Sequence, residues 1–251
     1  MFILENTQDK VLEYWKKTNS PYAEEYINLT RQFDSVADSI YKNRQKFQNA
    51  KYLKIDARKD DLKILELLPN LEFVTIYHIK EEDHEYLTLL KNVKVLELHP
   101  GYSASKVYLN LNYIKNNYIA SINLYDFEID SELLRKFIHL KELSLVWCKF
   151  SNLDFLRDLN NIEILFINTL PFSSIQGIQY LTKLKKLSLF HCWEFLGNRI
   201  SDFLLIKELK DLRILKLTGT EITNKDIESL RQWKRYLVID DPKIIKRFRF
   251  F

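Results

Sequence analysis

The chain is poor in the residues that break or flex a polypeptide: 251 residues contain four glycines and five prolines, with two cysteines and one methionine. That scarcity leaves no flexible linker and no low-complexity tract. No G-x-S-x-G, Walker loop, H-E-x-x-H or C-x-x-C is present, so the common hydrolase, nucleotide, zinc-protease and dithiol signatures are missing and no enzyme is expected. An export signal is also missing, because Met1-Phe-Ile-Leu4 meets Glu5 with no basic start and no sustained apolar core; a cytoplasmic protein is expected. The net charge is only +4, so no chain-wide nucleic-acid footprint is expected. Part of the basic character sits at the end, in Lys243, Lys246, Arg247 and Arg249. Residues 164–182 carry no charge and could span a bilayer on length alone. They include Asn168, Pro171, Ser173, Ser174, Gln176, Gly177 and Gln179, and read as part of a globular body.

Apolar residues make up 46% of the chain, and one spacing orders them. It runs apolar, two residues, apolar, two residues, apolar, one residue, apolar. Leu181, Leu184, Leu187, Leu189 and Leu209, Leu212, Leu215, Leu217 show it most clearly. Other copies are Leu68, Leu71, Val74, Ile76; Leu90, Val93, Leu96, Leu98; Phe137, Leu140, Leu143, Leu145; and Leu159, Ile162, Leu165, Ile167. Second positions at 50, 71, 93, 119, 140, 162, 184, 212 and 233 are separated by 21, 22, 26, 21, 22, 22, 28 and 21 residues. Heavy use of Lys, Ile, Asn, Tyr and Phe hints at an AT-rich bacterial genome.

A period near 22 enclosing L-x-x-L-x-L resembles the leucine-rich repeat, in the short class seen in bacterial internalin-like and phosphatase-regulator-type proteins. The resemblance covers residues 47–240, about nine coils. It implies an α/β solenoid: a right-handed horseshoe with a parallel sheet on the concave face and a helical or irregular convex side. Internalin-like proteins are exported, and that property is not expected here. Residues 1–46 read as an α-helical N-terminal cap, since Tyr26, Leu29, Phe33, Val36 and Ile40 step by three or four. Residues 241–251, with Ile244, Ile245, Phe248, Phe250 and Phe251, read as a C-terminal cap or tail. Helical returns are expected at Asp130–Phe137 and Asn224–Trp233, the second capped by Thr223 with Asp226 in its first turn.

Both cysteines fall in the repeat slot that this family fills with Asn or Cys. Cys148 and Cys192 are 44 residues apart, two coils, which places their backbones about 10 Å apart. They are expected to stay reduced, as inward packing thiols. The slot is otherwise filled by Ile79, Gly101, Phe127, Leu170 and Thr220. An Asn ladder is therefore expected to be missing there, with the turns packed by apolar filling. The two longer coils carry residues 100–105 and 193–198; such insertions often lie on the binding side, with neutral drift on the convex side an equal alternative.

Residues alternating with the inward positions should line the concave face. The register nominates Phe73, Tyr77, His78, His99, Tyr102, Tyr125, Asp126, Glu128, Trp147, Phe166, Phe190, His191 and Trp193 as partner-binding residues. A solvated strand face would carry Lys, Glu, Thr and Ser. This one carries residue types enriched in binding hot spots; the alternative is an irregular solenoid that turns some aromatics inward. Neither a metal nor a cofactor is expected, because His78, His99 and Asp126 lack any short ligand spacing.

The function expected is a non-catalytic protein-binding module, foremost a cytoplasmic inhibitor or immunity-type protein that blocks a toxin or enzyme. Glu97, Asp126, Glu128 and Glu142 would steer a basic partner toward it. A bacterial effector or adaptor acting on host proteins is the alternative, and nucleic-acid or membrane binding by the basic tail a weaker one. A small-molecule substrate is not expected, and the free chain is expected to be monomeric.

Overall fold

The computed structural model describes residues 40–42, 44–101, 106–169, 174–190, 200, 202–217, 223–234 and 236–240. Strands β1 (Tyr52–Asp56), β2 (Phe73–Ile79), β3 (Val95–Pro100), β5 (Ser121–Tyr125), β7 (Glu142–Val146), β8 (Ile164–Asn168), β9 (Lys186–Phe190), β10 (Ile214–Lys216) and β11 (Val238–Asp240) form one nine-stranded sheet in that order. Every pairing in it is parallel. Strands β4 (Val107–Leu109) and β6 (Phe127–Ile129) pair separately as a second, two-stranded sheet. This is the α/β solenoid that the apolar spacing predicts, one strand of the large sheet per coil.

The repeat's third and fourth apolar positions point into the coils. Leu53 and Ile55, Val74 and Ile76, Leu96 and Leu98, Ile122 and Leu124, Leu143 and Leu145, Leu165 and Ile167, Leu187 and Leu189, and Leu215 and Leu217 are each no more than 2% exposed. A coil alone cannot bury these side chains, so stability comes from stacking on its neighbours. The uncharged run 164–182 contributes β8 and the short helical turn Ile178–Tyr180. No helix among the described residues is long and apolar enough to cross a membrane.

The return segments are helical, as expected, but mostly of a narrower form than the α-helix. Seven of them are 3-10 helices: Leu62–Leu67, Glu81–Leu89, Leu111–Tyr113, Ser131–Lys136, Asp154–Asp158, Ile178–Tyr180 and Phe203–Glu208. The helix expected over Asp130–Phe137 is one of these. Strands stack about 4.8 Å apart, whereas packed α-helices need about 8–10 Å. The narrower 3-10 form lets the back follow the front more closely. Residues 40–42 are helical and helix α1 covers Arg44–Phe47; the rest of the expected N-terminal cap, and the C-terminal cap over 241–251, lie outside the described residues. Helix α2 (Asn224–Trp233), on the final turn before β11, is a full α-helix and carries the expected cap. Thr223 Oγ accepts from Asp226 N–H at 3.1 Å, and Asp226 Oδ2 accepts from Thr223 N–H at 3.2 Å.

Turns on the two sides of the sheet solve the backbone problem differently. On the trailing side, Ile79, Phe127 and Cys148 fill the slot as apolar plugs, each at most 3% exposed. Burial pushes the Cys148 thiol up to about 12, as befits packing rather than reactivity. Cys192 lies outside the described residues. On the leading side, one carbonyl per coil accepts two N–H groups from the next: Lys51 O from Glu72 and Phe73, Glu72 O from Lys94 and Val95, and so on to Lys185 O from Arg213 and Ile214.

Beside those carbonyls stands an asparagine ladder that the sequence reading did not foresee. The side-chain amides of Asn70, Asn92, Asn116 and Asn161 donate to Gln48 O, Pro69 O, Val93 O and Ile138 O at 2.6–3.0 Å, each one coil back. The family's usual slot lacks Asn, and the opposite turn supplies it. Gly177 has a positive φ of 111°, and a Cβ there would come within 2.2 Å of Leu153 O, so only glycine fits.

Asn116 is buried and also accepts from Tyr118 N–H at 3.0 Å, while Asn70 is exposed. Asn116→Ala strands a buried carbonyl and amide and should cost about 1–3 kcal/mol; Asn70→Ala should cost well under that. Urea denaturation of the two variants checks the difference.

Candidate binding face

Side chains between the core positions form three rows along the open face of the sheet, and the register names them. The first runs Tyr52, Phe73, Val95, Ser121, Glu142, Ile164, Lys186, Ile214, Val238. The second runs Lys54, Thr75, Glu97, Asn123, Ser144, Phe166, Ser188, Lys216, and the position of β11 in register with Lys216 is Asp240. The third contains Asp56, Tyr77, His99, Tyr125, Val146, Asn168 and Phe190. Within it Asp56 pairs with Tyr77, Tyr125 with Val146, Val146 with Asn168 and Asn168 with Phe190.

Aromatic rings join across strands on this face. Tyr77, His99 and Tyr125 form a continuous stack, with centroids 4.4 and 4.1 Å apart and planes within 18° of parallel. Tyr52 stacks on Phe73 at 4.8 Å, and Phe166 meets Phe190 edge to face at 5.0 Å. Lys54 Nζ lies 4.9 Å from the Tyr77 ring centroid. Stacking covers ring faces and leaves edges for a partner. His99 is fixed by a 2.6 Å hydrogen bond between Nε2 and the buried Glu97. Burial, assisted by the Glu97 charge, pushes the Tyr77 phenol up to about 12.

His78, Asp126, Trp147 and Thr169 are not strand-face residues. Each adopts a positive φ, 54–68°, His78 at the register irregularity near the end of β2 and the other three in the turn leaving their strand. Asp126, Trp147 and Thr169 thereby aim their N–H groups at Val146 O, Asn168 O and Phe190 O of the next coil, at 2.7–2.9 Å. The left-handed conformation costs about 1–2 kcal/mol for an L-residue. Trp147 accepts it while 57% exposed, so burial of the indole does not offset the strain. Its carbonyl accepts a 2.6 Å bond from Lys106 Nζ, which also pairs with Asp126. One lysine from the 26-residue coil thus holds the turns of the two coils after it.

The nominated residues therefore divide. Phe73, Tyr77, His99, Tyr125, Phe166 and Phe190 share the open face. His78, Asp126 and Trp147 rim its trailing edge, and His78 Nδ1 bonds Asp56 Oδ1 at 2.9 Å rather than approaching His99. Glu128 sits in β6, away from the large sheet, bonded through both oxygens to Lys149 at 3.0 Å. Tyr102, His191 and Trp193 lie outside the described residues. The acidic field expected from Asp126 and Glu128 is largely cancelled within the chain by Lys106 and Lys149, while Glu97 is hydrogen-bonded to His99. Val146, placed with the face by register, is 3% exposed and forms part of its floor. Among the described residues no group of three His, Cys, Asp or Glu could hold a metal ion.

Tyr52, Lys54 and Lys106 were missed. Tyr52-Leu-Lys-Ile55 alternates as Phe73-Val-Thr-Ile76 does, so the first two were legible. Lys106 has no sequence signal, because its role depends on three coils meeting.

Bonds from the Arg58 guanidinium, opposed by burial and reinforced by His78, lower the Asp56 carboxyl to about 2. A depressed acid contributes stability that is present above its unfolded pKa, about 3.9. That contribution is lost as pH falls through the folded value. Asp56→Asn should therefore be less stable than the parent at pH 7, and the gap should close between about pH 4 and pH 2. Thermal melts across that range read it directly.

No protein-family model matches the sequence, and no curated protein matches it. Solved structures do. An internalin (inlF) from Listeria monocytogenes is 20% identical with a TM-score of 0.55, covering 75% of this chain and 55% of its own. Internalin C2 (inlC2) from the same organism is 20% identical with a TM-score of 0.54, covering 76% and 77%. This chain thus spans little more than half the length of the first. At that identity the likeness speaks for architecture, and with the sheet, the register and the return turns it shows that the chain has the leucine-rich repeat fold.

Proposed function

We propose that the chain is a non-catalytic protein-binding module that seats a partner protein on the open face of its sheet. The observation that carries this reading is Trp147, a large aromatic held in a strained turn and exposed at the edge of an aromatic face. Residues of this type dominate binding energy when desolvated. The backbone bonds of that turn ask nothing of the exposed indole itself; a partner would.

Within that class the role is a cytoplasmic inhibitor of the immunity type, covering the active surface of a partner such as a toxin. A rigid face built on strands suits blocking, because its side chains are ordered before the partner arrives. An effector or adaptor acting on host proteins is the second reading, and the exposed aromatic edge fits it equally.

Pull-down of the tagged full chain from its native organism should recover a toxic protein. Co-expression with that protein should restore growth, and Trp147→Ala should lose protection while its melting temperature stays near the parent's. A recovered partner that is harmless, or toxicity unrelieved by co-expression, overturns the immunity role. Delivery of a tagged chain into host cells would favour the effector instead.

A further inference from the structure

The four left-handed residues at the trailing rim are not held alike. His78 is tied through Nδ1 to Asp56 Oδ1 at 2.9 Å. Asp126 pairs through its carboxylate with Lys106. Thr169 donates from Oγ1 to Asn168 Oδ1 at 3.3 Å. In these three the side chain helps to hold its own bend. Trp147 is the exception. Its indole makes no hydrogen bond or ring contact among the described residues, and it is the most exposed large aromatic of the rim, at 57%.

The Trp147 turn is held from outside instead. Its N–H donates to Asn168 O of the next coil at 2.9 Å, and its carbonyl accepts from Lys106 Nζ at 2.6 Å. Lys106 comes 41 residues earlier, immediately before β4, in the coil lengthened to 26 residues. An ammonium has three N–H groups, so it can meet the Trp147 carbonyl and the Asp126 carboxylate at once. With both peptide groups flanking the Trp147 Cα engaged, the direction of its side chain is set and only the side-chain torsions remain. Cys148 behind it is buried, so the chain beyond stays anchored if Lys106 is replaced. What such a replacement releases is the peptide plane between Trp147 and Cys148.

We infer that Lys106 is a positioning residue for partner binding: it holds the left-handed Trp147 turn so that the exposed indole is aimed before the partner arrives. A side chain ordered in advance loses less freedom on contact, and that difference appears as affinity. Through Lys106 the longer coil serves the site by supporting the rim, a role distinct from contact with the partner and from neutral drift. The inference rests on the protein-binding reading above.

Fluorine NMR of the full chain, grown with fluorotryptophan, tests the positioning directly. The chain has four tryptophans, and the Trp147 line is identified by its loss in Trp147→Phe. The parent should give one narrow Trp147 line. Lys106→Met, which cannot donate, should broaden or split that line while the other lines and the melting temperature stay near the parent's. Lys106→Arg, still a cationic donor, should keep it single and narrow. A second arm measures affinity for the protein recovered by the tagged full chain in the pull-down. Lys106→Met should weaken it about three- to tenfold, and should cause no further loss in the Trp147→Ala background. A Trp147 line unchanged by Lys106→Met, or disturbed as much by Lys106→Arg, overturns the inference. So does an equal affinity loss with and without the indole. No loss from Lys106→Met while Trp147→Ala weakens the partner also overturns it, and protein binding by the open face then stands. If Trp147→Ala leaves the affinity unchanged, or no partner is recovered, the binding reading fails and this inference with it.

Discussion

Everything in this molecule is subordinate to the spacing between neighbouring parallel strands, about 4.8 Å. The front of each coil must repeat at that interval for the backbone ladder to close. The back must then be narrow enough to follow. Seven 3-10 returns answer that demand, and a full α-helix occurs in the last turn before the final strand. The leading turns answer it with a shared carbonyl and an asparagine amide per coil; the trailing turns answer it with apolar plugs and left-handed residues. The binding face inherits the same interval, which is why Tyr77, His99 and Tyr125 fall into stacking distance without any side chain bridging them.

Period and inward register were legible because burial selects residue type almost without exception: Leu143, Leu145, Leu187 and Leu189 could not be polar and fold. Row membership on the open face followed from the pleat, so Phe73, Tyr125 and Phe166 were placed correctly. What escaped the sequence depends on geometry between coils. Asn70, Asn92 and Asn161 look like ordinary loop asparagines until the preceding coil's carbonyl is beside them. The positive φ of Trp147 and Thr169 could not be read either, since neither residue type favours it. Asp126 and Glu128 read as a negative field because the cations that cancel them, Lys106 and Lys149, are identified only by contact.

The solenoid also separates two kinds of order. Core positions are fixed by packing on both neighbouring coils and leave little choice of side chain. Open-face positions are fixed in place by the same strands but are limited in identity only by their neighbours across the sheet. Lys106 is an exception to this coil-by-coil independence, because it ties the turns of two successive coils to a third.

The left-handed turns at Asp126, Trp147 and Thr169 have one more consequence, for how such a face can change over generations. Each turn engages the next coil through its backbone N–H alone, so the ladder bond makes no demand on the side chain beyond tolerance of that conformation. A residue in that slot can be exchanged for another without disturbing the leucines beneath it. New specificity can therefore be explored one coil at a time, at the rim first, while the fold is inherited intact.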